Sequence, residues 1–343
     1  NDVGKEQKKS EKPINDENSF TSKGSNRSLD KPYNIHFAFA NGKMFENMLD
    51  FINSIDYRAI FQFKQKEVNI MASDGGNTHM TLIKFDKIEF SDYTIKDVEL
   101  KDENSQKLIF IDVSIANDLT VDDSHPIDFY VDTLIKNRFY IVCGKEIVYK
   151  QLGVMNTSND TDSIENKANF LIGVISKVLG KSELQRISIA QVALSNLMKS
   201  LTKKKSKKKD DISECLMSLS KSGILFTTQN EYAGSDIKLS GEDILVYPTS
   251  ESSNGFNIEY FTKFGLLKSS YTTTMYTTEG LPIIFESRLG SGKIIVYYLL
   301  APRAVQIKEW YKMEIESDKI NFNELYRITK IELDIVTFKK YTI

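Results

Sequence analysis

The sequence predicts an α+β fold of two tandem domains, each made of short helices packed on antiparallel sheets. Three observations carry this reading. The chain has 343 residues, which suits two domains at roughly 150 residues each. An amphipathic helix followed by a meander of strands occurs twice, a domain-sized internal repeat with low identity between its copies. Gly280–Arg303 reads as a hairpin: Ile284, Glu286 and Arg288, then Lys293, Ile295 and Tyr297, alternate on either side of a Gly290-Ser291-Gly292 turn.

Residues 1–32 are rich in Lys, Glu, Asn, Ser and Asp and nearly devoid of apolar side chains. Such a segment buries too little surface to offset its ordering entropy and predicts a disordered tail. Structure begins near Tyr33, with Ile35, Phe37 and Phe39 alternating as a strand. After Gly42, the residues Met44, Phe45, Met48, Leu49, Ile52 and Ile55 share one face at helical spacing. Strands are expected at Ala59–Lys64, Glu67–Ser73 and His79–Phe85, and a short helix at Asp112–Leu119. A connector over 156–188 starts as a polar loop and turns apolar at Phe170–Ile175. A second helix is expected over Ile189–Leu201, then strands near Glu214–Ser220, Gly223–Thr228 and Asp236–Ser240, and a short helix at Asn257–Leu267. The tail 304–343 carries Trp310, Tyr311 and alternating Ile331, Leu333 and Ile335, which point to ordered structure.

The composition, 41% hydrophobic and 27% charged with no membrane-length apolar run, is that of a globular protein. No secretory apolar core stands at the beginning of the sequence, and Cys143 and Cys215 lie far apart in apolar surroundings, so buried free thiols in a reducing compartment are expected. His36, His79 and His125 are scattered, without metal-ligand spacing, and His79 reads as a structural histidine. Asp74-Gly75-Gly76 lacks the Gly-Lys-Ser/Thr of a phosphate loop and reads as a hairpin turn. No catalytic constellation stands out, so the expectation is a protein without enzymatic activity, metal or cofactor. Dense positive charge occurs in one place, Lys203–Lys209, which is either a solvated or localisation segment or a contact to DNA.

Three blocks resemble the eukaryotic and archaeal sliding clamps, the proliferating cell nuclear antigen family. The first is FANGKMFENMLDFINSI followed by VNIMASDGGNTHMTLI, with Asp74, His79, Met80 and Leu82 at matching places. The second is LMSLSKSGILFTTQNEYAGSDIKL. The third and most specific runs from IEYFTKFGLLKSSYTTTMYTTEGLPIIFES to YYLLAPR. The resemblance implies two domains of the processivity fold, 33–155 and 189–303, joined by the connector 156–188 and followed by an extension at 304–343 that exceeds the family pattern. It further implies a head-to-tail homotrimer, closed by Glu146–Gly153 against Asp236–Ser240 of the next copy. The partners it implies are duplex DNA bound without sequence preference, a clamp loader, and DNA polymerase and other replication proteins bearing short motifs.

By the same resemblance, motif peptides are expected in a surface groove of Met80, Leu82, Ile172, Pro282, Leu299, Leu300, Ala301 and Pro302. Contacts to DNA are expected from Lys43, Lys199, Lys203, Lys204, Lys205, Lys207, Lys208, Lys209, Lys263 and Lys268. The helices depart from the family pattern in their charge. Glu46, Asn47, Asn53, Asn117 and Asp118 stand on them, and Glu259 replaces an expected arginine. That poverty of cations leaves a rival expectation open: a specialised clamp-like subunit, of a checkpoint ring or of the late-transcription kind found in some large DNA viruses. The corresponding location is the nucleus or a cytoplasmic viral replication site.

Overall fold

A computed structural model describes residues 33–96, 105–119, 125–152, 158–204, 214–229, 234–267 and 272–304. The tail 1–32 and residues 305–343 lie outside them, as do Lys205, Lys207, Lys208, Lys209 and Lys268. The first half runs β1 (Ile35–Phe39), α1 (Gly42–Ile55), β2 (Arg58–Phe63), β3 (Glu67–Ser73), β4 (His79–Asp86), β5 (Asp92–Ile95) and β6 (Lys107–Asp112). A 3-10 helix (Val113–Asp118), β7 (Ile127–Asp132), β8 (Arg138–Cys143) and β9 (Glu146–Gln151) complete it. A long helix, α2 (Ser158–Leu179), follows. The second half runs β10 (Gln185–Ala190), α3 (Gln191–Lys204), β11 (Glu214–Ser220), β12 (Gly223–Gln229), β13 (Gly234–Leu239), β14 (Ile244–Val246) and β15 (Ser252–Asn257). It ends with α4 (Ile258–Lys263), β16 (Thr272–Thr277), β17 (Ile283–Leu289) and β18 (Ile294–Leu300). Both halves therefore read strand, helix, five strands, short helix, three strands. α2 has no counterpart in that repeat.

Pairing repeats as well. β1 lies between β5 and β7 as β10 lies between β14 and β16, and β2 joins β3 to β6 as β11 joins β12 to β15. Three antiparallel sheets result: β5-β1-β7-β8-β9, β13-β12-β11-β15, and a nine-stranded sheet β14-β10-β16-β17-β18-β4-β3-β2-β6 shared by both halves. The seam of the shared sheet is β18 against β4, in register from Ile294–Phe85 to Leu300–His79. Under the repeat, β9 corresponds to β18 and β13 to β4. Those two counterparts end their sheets with no further strand beside them among the described residues.

Local chemistry sets these elements. Asn41 caps α1, its side chain accepting the Met44 N–H at 2.9 Å. Gly290 and Gly292, at φ +60° and +92°, make the β17–β18 turn that L side chains adopt only with strain. Side chains alternate across each strand. Phe61, Phe63, Ile83, Phe85, Val296, Tyr298 and Leu300 enter the main core with α1, α3 and α4. Ile60, Met71, Met80, Leu82, Ile284 and Leu299 turn to the other face of the nine-stranded sheet. Cys143 and Cys215 are buried free thiols.

Two expectations change. The segment read as a polar loop is the start of α2. Ile164, Ala168, Leu171 and Ile175, each 1% exposed or less, form a stripe at helical spacing that the surrounding polar residues disguise. The second helix begins at Gln191, because Ile187 and Ile189 alternate into the core as part of β10. The short helix expected after β6 is present, as a 3-10 helix over Val113–Asp118.

Candidate partner face and DNA-facing helices

The expected groove residues separate into three groups. Met80, Leu82 and Leu299 do share one face at the β4–β18 seam, but α2 lies on them and they are buried. Ile172 belongs to α2 itself and is half-buried there. Leu300, expected at the surface, is 2% exposed in the main core, a correction that follows from the pleat: neighbours 299 and 300 point to opposite faces. Pro282 is half-buried just before β17. Leu300, Ala301 and Pro302 nevertheless line a hollow of about 40 Å³ with Thr78, Phe256, Asn257, Tyr260 and Arg303, a space for a side-chain tip rather than a substrate. Sequence reasoning missed Asn257 and Tyr260. They join this site through the Arg303 N–H bond to the Gly255 carbonyl, 2.7 Å, a contact 48 positions apart that no local pattern announces.

Behind the hollow lies a buried polar cluster. Asp74 accepts the Thr78 and His79 N–H groups at 2.7 and 3.1 Å and the Thr78 hydroxyl at 2.6 Å. Burial pushes the Asp74 carboxyl up, but these bonds outweigh it and hold it below the usual range. His79 stacks on Tyr260, ring centroids 4.2 Å apart. The Lys263 ammonium lies 3.2 Å from His79 Nε2 and donates to the Ser54 carbonyl at the end of α1, clasping the two halves together. Burial first, then the Lys263 charge, lowers the His79 pKa from 6.5 to about 4.

A histidine held neutral in the fold binds protons more readily when unfolded. Its stabilising contribution is therefore complete above pH 6.5 and is lost as pH falls toward about 4. Asp74 adds a separate loss at lower pH, below its ordinary 3.8. Urea midpoints measured across this range are expected to fall more steeply for wild type than for His79→Gln. Parallel curves overturn the assignment.

The helix layer opposite α2 is poor in cations. Lys43 pairs with Glu46, and Lys263 is directed to Ser54 and His79, so these two of the lysines expected on DNA make contacts within the protein. Asp50, Asp118, Glu259 and Lys199 are exposed on this layer. Lys203 and Lys204 form the end of α3. Among the described residues, no three His, Cys, Asp or Glu side chains gather as a metal site.

No family model matches the sequence, and no curated protein resembles it at sequence level. Solved structures do resemble it. The A. fulgidus PCNA bound to the C-terminal region of FEN-1 superposes with TM-score 0.59 at 15% identity, over 80% of this chain and all of that one. PCNA from Entamoeba histolytica gives 0.59 at 12%, over 80% and 100%. The PCNA2–PCNA3 complex from Sulfolobus tokodaii gives 0.60 at 12%, over 79% and 100%. Two halves of identical element order, sewn through one shared sheet and matching these structures over their whole length, give this chain the sliding-clamp fold.

Proposed function

We propose that the protein is a DNA sliding clamp: a head-to-tail homotrimer that encircles duplex DNA and tethers replication proteins through short peptide motifs, without catalysis of its own. One observation carries the reading. β4 and β18 pair within the chain, and their repeat counterparts β13 and β9 end their sheets. The same pairing made between copies, β9 of one on β13 of the next, uses both edges and closes into a ring, which removes exposed strand edges. The likeness in fold to PCNA structures, one of them bound to a FEN-1 segment, supports the same reading. Light scattering is expected to give three times the 39.2 kDa chain mass. A monomer at micromolar concentration overturns the homotrimer.

A helix layer with exposed Asp50, Asp118 and Glu259 attracts phosphate weakly, and the lysines at 203–209 supply the charge for DNA. Six phosphate contacts give log K against log salt a slope of magnitude up to about 5, at roughly 0.9 per phosphate. Replacing those six lysines with serine is expected to weaken association with closed circular DNA and flatten that slope while the ring persists. Superimposable titrations remove the segment from DNA binding. The same charge poverty favours a second reading, a clamp-like subunit of a mixed ring that grips DNA little. A lone 39.2 kDa species without DNA association is its signature.

A further inference from the structure

The outer face of the nine-stranded sheet carries an apolar area at the seam, where Met80 and Leu82 of β4 meet Leu299 of β18 beside Met71 and Ile284. α2 covers this area, packing on β3, β4 and β6, with Ile164, Ala168, Leu171 and Ile175 in one apolar cluster with Leu299 and Ile284. The contacts that seat it are apolar. Among the α-helices of the described residues, α2 is also the one outside the internal repeat. Its solvent side is ordinary for an amphipathic segment, apart from Phe170, 47% exposed, and Gly173, a weak helix former in mid-helix. The hollow at Ala301 and Pro302 opens at the same end of β4 and β18 as the Met80–Leu299 pair. The hollow itself is lined by Leu300, Phe256 and Tyr260 of the main-core side, so α2 covers the opposite face of the sheet.

We propose that α2 is a resident occupant of a helix-accepting face, so that a partner reaches this face only by displacing it. The partner class is an amphipathic segment with apolar anchors one helical turn apart, the pattern α2 itself presents. The inference deepens the clamp reading and rests on it for the identity of the face as a partner site. A helix tethered at both ends competes at high effective concentration. If it is docked for 99 parts in 100, the apparent affinity of any competitor falls by about 100-fold. Partner binding is thereby gated by the lifting of α2, not by the shape of the sheet.

Two measurements on the full chain test this, with a synthetic peptide of residues 158–179 as the probe. In wild type, α2 amides are expected to exchange hydrogen faster than those of β4 and β18, because α2 lifts without global unfolding. Exchange of all three in one event makes α2 a permanent part of the core and overturns the proposal. In the double variant Leu171→Asp, Ile175→Asp, the emptied face is expected to bind the probe at least about tenfold more tightly than wild type does. A folded variant that binds it no better also overturns the proposal. Where the variant fails to fold, the exchange result decides alone. Both readouts are independent of oligomeric state and DNA, so a monomeric mass removes the ring and leaves this test intact.

Discussion

Replacing Leu300 with aspartate is expected to abolish folding, whereas the same change at Leu299 leaves a folded protein with α2 released. The two residues are adjacent in β18, yet the pleat sends them to different environments. Leu300 lies in the main core, 2% exposed, beside the seam pair to His79. A carboxylate there must be desolvated or protonated, and truncating the leucine also opens a cavity. Together these exceed about 4 kcal/mol, a large part of a typical domain's stability. Leu299 faces α2, and a helix that lifts lets water reach the new charge, so the cost is capped by the docking energy of α2. Thermal melts by circular dichroism with soluble yield check both. A Leu300→Asp protein that melts with wild type shows that residue at the surface and overturns this packing.

Tyr149→Pro is expected to convert rings to single chains while leaving the β8–β9 hairpin in place. The turn Gly144-Lys145 joins Cys143 to Glu146 as the closing pair, and Leu152 N–H bonds to the Asn137 carbonyl at 2.8 Å. In an antiparallel ladder, bonded and non-bonded pairs alternate. Glu146, Val148 and Lys150 therefore exchange backbone bonds with β8, and Ile147, Tyr149 and Gln151 turn theirs toward the open edge. Proline at 149 removes an outward N–H and blocks strand addition, and edge positions tolerate it. Tyr149 is 57% exposed, so little packing is lost. Tyr149→Ala keeps the N–H and is expected to keep the ring. Light scattering distinguishes the cases: loss of the trimer in the proline variant alone supports β9 pairing, and an intact trimer in both variants refutes it.

Much of the architecture was legible from local pattern. Glu67–Ser73 and Glu214–Ser220 were bounded correctly because alternation between turn residues is a short-range signal. The stripe of α1 and the turn at Gly290–Gly292 were legible for the same reason. α2 was missed at its start because its stripe is narrow: one small residue, Ala168, stands in it, and polarity dominates the flanks. The α3 boundary shifted because Ile187 and Ile189 fit a strand as well as a helix, and pairing with β16 decided between them.

Partner and DNA residues divide along the same line. The sequence alone determined which residues are apolar, where turns interrupt them, and that the chain repeats itself, since each is a property of neighbours along the chain. Tertiary structure decided that Leu299 and Leu300 part company, that α2 covers Met80 and Leu82, and that Lys263 turns to Ser54 and His79 instead of outward. It also decided that β18 closes on β4, leaving β9 and β13 at the ends of their sheets. Those outcomes depend on which face of a sheet is already covered and which carbonyl lies within reach of a cation. Contacts between residues some 200 positions apart set both, and no window of local sequence contains them.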